Sequence, residues 1–357
     1  MSRNTMSRNT KETMQKKRKL SKKGRRKRRI RRILACEFIL ILLLIPVVFA
    51  IVSLTKIQVY EADLESLTQN DVKDANMDDY RNIIVYGVDS RANELDKNTR
   101  TDSIIIVSIN KKTKDIKLSS VFRDTFLSIE DHGYTKVNHA YAYGGPALSI
   151  STLNKNLDLN ITDFVTVNFS ALTNVIDLLG GIELTITEDE LEYVNAYTRD
   201  VAKINGMDYT YLKSAGTQTV TGVQATGYCR VRYTAGGDFT RAERQRTVMK
   251  AIFEKAKKSN PVTLYKIADE ILPQIYTSLS TAEILKLGMA LPFYNMADSQ
   301  GFPFENKTGK INSASVVVPT TLSSNVTELH EYLFGTGGYE PTETVKSISN
   351  QISSYGY

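Results

Sequence analysis

Arginines and aspartates recur in this 357-residue chain where short β-branched runs begin or end. Asp89 and Arg91 follow the run Asn82-Ile-Ile-Val-Tyr-Gly87, and Arg100 and Asp102 precede Ser103-Ile-Ile-Ile-Val-Ser-Ile109. Arg123 and Asp124 follow Asp115-Ile-Lys-Leu-Ser-Ser-Val121. Much later come Arg230 and Arg232 in Tyr-Cys-Arg-Val-Arg-Tyr, then Asp238, Arg241, Arg244 and Gln245 in Gly-Gly-Asp-Phe-Thr-Arg-Ala-Glu-Arg-Gln-Arg. Neighbouring strand ends meet at one edge of a sheet, where α/β proteins place their ligands. Asp89 and Asp102 are hard oxygen donors suited to Mg²⁺ or Mn²⁺, ions that keep waters and take substrate phosphate oxygens. Guanidiniums around them grip a pyrophosphate bidentately. Arg230 and Arg232 share a face if their segment is extended, and Arg241 and Gln245 lie one helical turn apart. Any one Arg–Asp pair alone reads as a solvated ion pair worth under ~1 kcal/mol. Their clustering reads instead as a carboxylate-held metal in an arginine-rich pocket suited to a diphosphate.

Other chemistries are excluded. The chain has no G-x-S-x-G elbow, no G-x-x-x-x-G-K-[ST] loop, no H-E-x-x-H and no G-x-G-x-x-G. Two cysteines, Cys36 and Cys229, rule out a disulfide scaffold and a four-cysteine zinc site, and three histidines spread over the chain argue against a multi-histidine metal site. The formal charge of +7 misleads: residues 1–32 hold sixteen Lys or Arg and one acid, whereas the remaining 325 residues carry a net −8. The basic excess belongs to a tail, so a protein that coats nucleic acid with its whole surface is excluded, and no nucleic-acid partner is expected.

The elements that must position these residues follow from hydrophobic periodicity. The three runs above read as strands, with Lys111 to Lys114 as a hairpin turn. Further strands are expected at 164–169, 182–186 and 316–318. Helices are expected at 145–157 (Pro146 in the first turn), 171–179, 220–228, 239–258, 263–273, 281–290 and 326–334. Residues 188–200 read as an acidic segment. Alternating strands and helices predict an α/β fold, a central mixed β-sheet flanked by helices.

From Ile33 to Leu54 the chain runs twenty-two residues with one charge, Glu37. As a helix this is about 33 Å long, enough to span a bilayer. The dense Lys/Arg run before it keeps the N-terminus cytoplasmic. The organisation expected is a basic cytoplasmic tail at 1–32, a transmembrane signal anchor at 33–54, a stalk at 55–80, one extracytoplasmic catalytic domain at 81–335 and a loosely held C-terminal tail at 336–357. The expected location is the cell membrane, single-pass, with membrane lipid met through the anchor.

The succession GVDSR, RTDSIIIVSIN, SVFRDT, KVNHAYAYGG, ITDFVTVNF, VIDLLGGIEL and YCRVRYTAGGDFTRAERQR, in order over residues 80–255, resembles the LytR–CpsA–Psr family. The resemblance implies an extracytoplasmic enzyme of Gram-positive bacteria. Such enzymes move a glycopolymer, such as wall teichoic acid or capsular or secondary wall polysaccharide, from an undecaprenyl-diphosphate carrier onto peptidoglycan. Carried over by motif, Asp89 and Asp102 resemble metal-binding aspartates. Arg100, Arg123, Arg230, Arg232, Arg241 and Gln245 resemble pyrophosphate-binding residues, with Arg91 and Asp124 in matching motifs. Some members carry an arginine where Leu127 stands here, and Ala-Leu where Thr226-Gly227 stands. Members also hold the polyprenyl tail in an apolar tunnel, for which Val165, Phe169, Leu172, Ile176 and Leu179 are the candidates.

The resemblance implies that a peptidoglycan sugar hydroxyl attacks the phosphorus next to the glycopolymer, releasing undecaprenyl phosphate and forming a phosphodiester. Arg123, Asp102 and Arg100 are the expected catalytic residues, and the base is open between Asp102 and Asp89. Two readings from other classes stand beside this one. One is a membrane-tethered transcription regulator using the basic tail, and the other a non-catalytic module that holds lipid-linked polymer.

Overall fold

The structure is a computed structural model that describes residues 58–59, 67–73, 76–88, 95–96 and 99–356. The expected cytoplasmic tail, the membrane anchor, most of the stalk, and both Asp89 and Arg91 lie outside the described residues. Among those described, no helix is long and apolar enough to cross a membrane.

In chain order the first elements are β1 (Gln58–Val59), β2 (Tyr80–Val88), β3 (Thr101–Asn110), β4 (Asp115–Val121), β5 (Phe126–Ile129), β6 (Gly133–Lys136), α1 (Asn138–Leu157) and β7 (Asp163–Asn168). Then come α2 (Phe169–Leu178), β8 (Ile182–Ile186), α3 (Glu188–Asn205), β9 (Gly216–Val220), α4 (Gly222–Arg230), α5 (Gly237–Lys257) and α6 (Pro261–Ile271). The chain closes with β10 (Tyr276–Thr277), α7 (Thr281–Ala290), β11 (Asn295–Phe302), β12 (Asn306–Ile311), β13 (Ala314–Pro319), α8 (Leu322–Phe334) and α9 (Glu343–Ser353).

A seven-stranded sheet runs in the order β1-β10-β7-β2-β3-β4-β11. It is mixed: β2 pairs antiparallel with β3 and parallel with β7, and β4 pairs antiparallel with β3 and parallel with β11. Side chains alternate across the pleat. Ile84, Tyr86, Ile104 and Ile106 face one core, built with Leu153 and Leu157 of α1 and with α8 and α9. Ile83, Ile105, Ile109 and Val107 face the other, against Met249 and Phe253 of α5. Helices thus cover both faces, as the α/β reading expects.

Three elements depart from the sequence reading. The acidic segment 188–200 is the body of α3, whose Val194, Thr198 and Val201 are buried. Its start is fixed by a capping box between Thr187 and Glu190. The chain between β4 and α1 forms the β5–β6 hairpin. The segment expected to hang as a loose tail carries α9, and Val345, Ile348 and Ile352 on that helix enter the main core. Three apolar side chains spaced for one helical face have no reason to stay in water.

Candidate functional site

The register of the sheet assembles the site. β3 and β4 pair antiparallel with Ile105 opposite Ser120, so the same register continued past the ladder sets Asp102 opposite Arg123. Arg123 Nη1 donates to Asp102 Oδ1. Asp102 Oδ2 lies 3.9 Å from Arg232 Nη2, and the Asp102 carbonyl accepts from Arg241 Nη2 at 3.2 Å. Asp238, in the first turn of α5, pairs with Arg241 at 3.0 Å and stands 3.6 Å from Arg123 Nε. Guanidiniums from β4, from the α4–α5 connection and from α5 therefore meet around two carboxylates.

Arg230 is the last residue of α4, and the chain leaves the helix at Val231 (φ −60°, ψ 126°). An extended Arg230–Arg232 pair is thus corrected to a helix end followed by a turn, and that turn still delivers both side chains to the pocket. α4 can lie this deep because Gly227 lets α3 approach: a Cβ there would meet the Thr198 backbone nitrogen at 2.9 Å. Thr226 bonds Thr173 of α2 at 2.9 Å. The Thr226-Gly227 departure thus serves close helix packing. Arg230 stacks over the rings of Phe169 (5.2 Å) and Tyr197 (5.7 Å).

Together Asp102, Phe169, Tyr197, Cys229, Arg230, Arg232, Arg241 and Gln245 line a polar cavity of about 250 Å³. Arg123 adjoins it through Asp102. Arg100 is exposed at the entry to β3 and is not among the lining residues. Arg244, read with the others from its motif, turns away and donates to Glu190 at 2.8 Å, to the Val231 carbonyl at 3.0 Å and to Thr234 Oγ1 at 2.5 Å. Asp124 pairs with Lys136 at 3.1 Å. Leu127, standing where some relatives have arginine, is wholly buried in the core. Tyr197 is hidden from sequence reasoning because the acidic composition of 188–200 masks a helix. The capping box before it was the available signal.

The electrostatics favour an anion. Arg241 is 3% exposed, and its Nε has no partner. Burial, with the Arg123 and Arg232 guanidiniums, pushes it down to about 10 against the pull of Asp238 and Asp102. It is still a cation at neutral pH. Burial also opposes the charge of Arg123, but Asp238, Asp102 and Asp124 outweigh it and the net shift is upward. The Arg123 Nε likewise has no hydrogen-bond partner. A buried cation with unsatisfied donors is costly unless something negative meets it.

A second cavity of about 110 Å³ opens beside the first and shares Phe169, Cys229 and Gln245 with it. Its wall is apolar: Val85 and Ile105 of the sheet, Leu172 of α2, and Val248, Met249 and Ile252 of α5. Of the five tunnel candidates, Phe169 and Leu172 line it. Val165 packs on the same sheet face, with Met249. Ile176 belongs to the separate core between α2, β8 and α4, and Leu179 is buried outside the cavity wall; for these two the tunnel role is corrected to packing.

A divalent cation fits these residues only in part. Among the described residues there is no group of three His, Cys, Asp or Glu able to hold one. Asp102 brings one hard carboxylate to the pocket mouth, enough when a second carboxylate and phosphate oxygens complete the shell.

The LytR_cpsA_psr family matches residues 48–330 of the chain. The chain is 30% identical over 209 residues to polyisoprenyl-teichoic acid–peptidoglycan teichoic acid transferase TagT of Bacillus subtilis (strain 168), covering 57% of this chain and 62% of that protein. It spans about three fifths of the length of the curated relatives it matches. In fold it is similar to a structure described as "TagT bound to LIIa-WTA" (TM-score 0.60, 23% identity, 78% of this chain and 100% of that one). It is also similar to one described as "LytR-CPS2A-psr family protein YwtF (TagT) with bound octaprenyl pyrophosphate lipid" (TM-score 0.55, 23% identity, 75% and 95%).

Proposed function

The chain belongs to the LytR–CpsA–Psr family, and from that premise we propose that it is a glycopolymer transferase. Its donor is an anionic glycopolymer linked to undecaprenyl diphosphate, and its acceptor a sugar hydroxyl of peptidoglycan. One observation carries this reading: an apolar cavity adjoins an arginine-lined one, the two sharing Phe169, Cys229 and Gln245 in their walls. An oily chain ending in a diphosphate is the ligand class that satisfies both walls. A curated relative with a teichoic acid transferase name and a fold neighbour holding a polyprenyl pyrophosphate support it.

In the reaction proposed, the acceptor oxygen attacks the phosphorus that bears the glycopolymer. The bond from that phosphorus to the bridging oxygen breaks, undecaprenyl phosphate leaves with the electron pair, and the product is a phosphodiester. Transfer of this kind depends on positioning and charge neutralisation. Arg230, Arg232, Arg241 and Gln245 bind the diphosphate, and Arg123 bridges Asp102 and Asp238 to fix the charge at the phosphorus. Arg100, at the exposed entry to β3, adds a further cation for the phosphates, a role also proposed for Arg91 on its motif alone. The hydroxyl proton goes to Asp102 or Asp89. A Mg²⁺ or Mn²⁺ held by those two aspartates would add further neutralisation of the phosphate oxygens.

The reading places the domain outside the cell membrane, tethered by the segment 33–54. The test is transfer of labelled lipid-linked glycopolymer to peptidoglycan by the full chain in a bilayer disc. Arg123→Ala and Asp102→Ala variants should remain folded and transfer none. Full turnover by either refutes its role.

A further inference from the structure

Arg246 lies on α5, on the helix face that the diphosphate pocket does not use. It is 8% exposed, and its Nε and Nη1 are buried without a hydrogen-bond partner. It lines a third cavity, about 410 Å³ and open to solvent, together with Phe122, Phe239, Gln300, Phe304 and Asn306. Phe122 and Phe239 pack edge to face at 4.6 Å. Gly301 makes room for the first ring, since a Cβ there would lie 2.4 Å from Phe122 Cζ.

This wall is not a packed core with a stray charge. Replacing the guanidinium by an apolar chain would ordinarily be neutral or stabilising, so a buried one with idle donors points to a partner from outside. The partner must offer acceptors, because guanidinium offers donors only. Glu243 and Asp298 stand near but leave Nε and Nη1 unpaired and do not offset the burial of the charge, so an acceptor that is also an anion suits it best. The Phe122, Phe239 and Phe304 rings in the same wall suit the apolar face of a sugar, and the Gln300 and Asn306 amides suit hydroxyls. Aromatic rings interleaved with charged and amide side chains, in a wall more polar than apolar, are the make-up of a site for a polar ligand with one apolar face. Its position is also telling. Phe122 precedes Arg123 and Phe239 follows Asp238, so the same two chain segments serve this cavity and the arginine–aspartate cluster. α5 serves both: Arg241 and Gln245 line one cavity, and Phe239, Thr240, Glu243 and Arg246 the other.

We propose that this third cavity binds an acidic saccharide, a sugar ring bearing a carboxylate or phosphate, with Arg246 pairing the anionic group. As a subsite of the transfer reaction it rests on the function proposed above; as a saccharide site it does not. Two polymers present this chemistry, the acceptor glycan with its carboxylates and the donor glycopolymer with its phosphates.

Calorimetric titration of the full chain in a bilayer disc tests it, using a carboxylate-bearing peptidoglycan disaccharide-peptide, a glycerol phosphate oligomer and uncharged N,N′-diacetylchitobiose. Binding of either anionic probe, weakened at least tenfold by Arg246→Gln, is the expected result. The probe that is lost identifies the acceptor or the donor. Equal binding by the variant, equal binding of the uncharged disaccharide, or no binding of either anionic probe overturns the proposal. Inorganic pyrophosphate binding is the folding control. Should Arg246→Gln not fold, Asn306→Ala serves, with the same expected loss. A chain that binds the acidic probe but neither pyrophosphate nor lipid-linked donor would sink the transferase reading and leave this site standing.

Discussion

Arg241 and Arg244 stand one helical turn apart on α5 and are equally buried, each with its side chain 3% exposed, yet they are in opposite states. Arg244 spends all three nitrogens on Glu190, Val231 and Thr234. Arg241 keeps a buried Nε without a partner. One arginine closes a structural network, and the other presents an unsatisfied cation to a cavity.

That difference separates their mutants. Arg244→Ala leaves the Glu190 carboxylate buried without its cation, and loss of one member of such a pair costs roughly 3–5 kcal/mol. Arg241→Met removes a charge disfavoured by burial and by two neighbouring cations, and its partner Asp238, partly exposed and still beside Arg123, is not left buried alone, so stability should change by no more than ~1 kcal/mol. Turnover should nevertheless fall by about 10²–10³, the usual loss for one preorganised charge-stabilising donor. Denaturant midpoints and transfer rates on both variants check the contrast.

The apolar cavity makes a separate claim. Leu172 lines it from a partly exposed position on α2, so Leu172→Trp can reach into the space without disturbing the buried core. The variant should lose at least tenfold in affinity for a polyprenyl diphosphate while binding inorganic pyrophosphate as before. Equal loss of both ligands would mean that the two cavities are not read separately by lipid and phosphate.

The arginine pattern was legible because strand ends are visible from local composition, and the strands 82–87, 103–109 and 115–121 all formed. What escaped depended on contacts remote in the chain. Nothing local marks β11 as the parallel partner of β4, although that edge brings Gln300 and Gly301 to the third cavity. The difference between Arg241 and Arg244 was equally hidden, since Glu190 sits 54 residues away. Leu127 was legible as a departure but its reason was not: the side chain belongs to the main core, where a guanidinium would be stranded. Thr187 and Glu190 did carry a local signal, and the acidity of the residues between them obscured it.

Cys229 ties the site to alkaline pH. Burial pushes its thiol up from an ordinary value of 9 to about 12, against the pull of Arg244 and Arg241. The folded state therefore favours the protonated form. The stability this gives is fully present below about pH 9 and is lost as pH rises towards 12. Native protein at pH 8 should react with iodoacetamide far more slowly than unfolded protein, because the thiolate is the reactive form. Stability curves from pH 9 to 12 should fall less steeply for Cys229→Ala than for the unaltered chain.

The last eleven-residue helix should prove essential to folding. Asp158, fully buried, accepts from Thr342 N at 2.8 Å, Thr342 Oγ1 at 2.7 Å, Tyr339 OH at 3.1 Å and Asn70 Nδ2 at 2.7 Å. It thereby ties the end of α1 to the start of α9 and to residues near 70. Deleting residues 342–357 removes two of those donors. It also exposes the core facing Val345, Ile348 and Ile352, each worth about 1.5–3 kcal/mol when buried. Summed, that approaches the whole stability of an ordinary domain, about 5–15 kcal/mol. The truncated chain should be insoluble or lack a cooperative melting transition, whereas Lys346→Ala on the outer side of α9, whose ion pairs with Glu340 and Glu343 are solvent-exposed, should melt within about 2 °C of the intact protein, surface pairs being worth under ~1 kcal/mol. A truncated chain that melts cooperatively and near the intact temperature would show α9 to be an appendage after all.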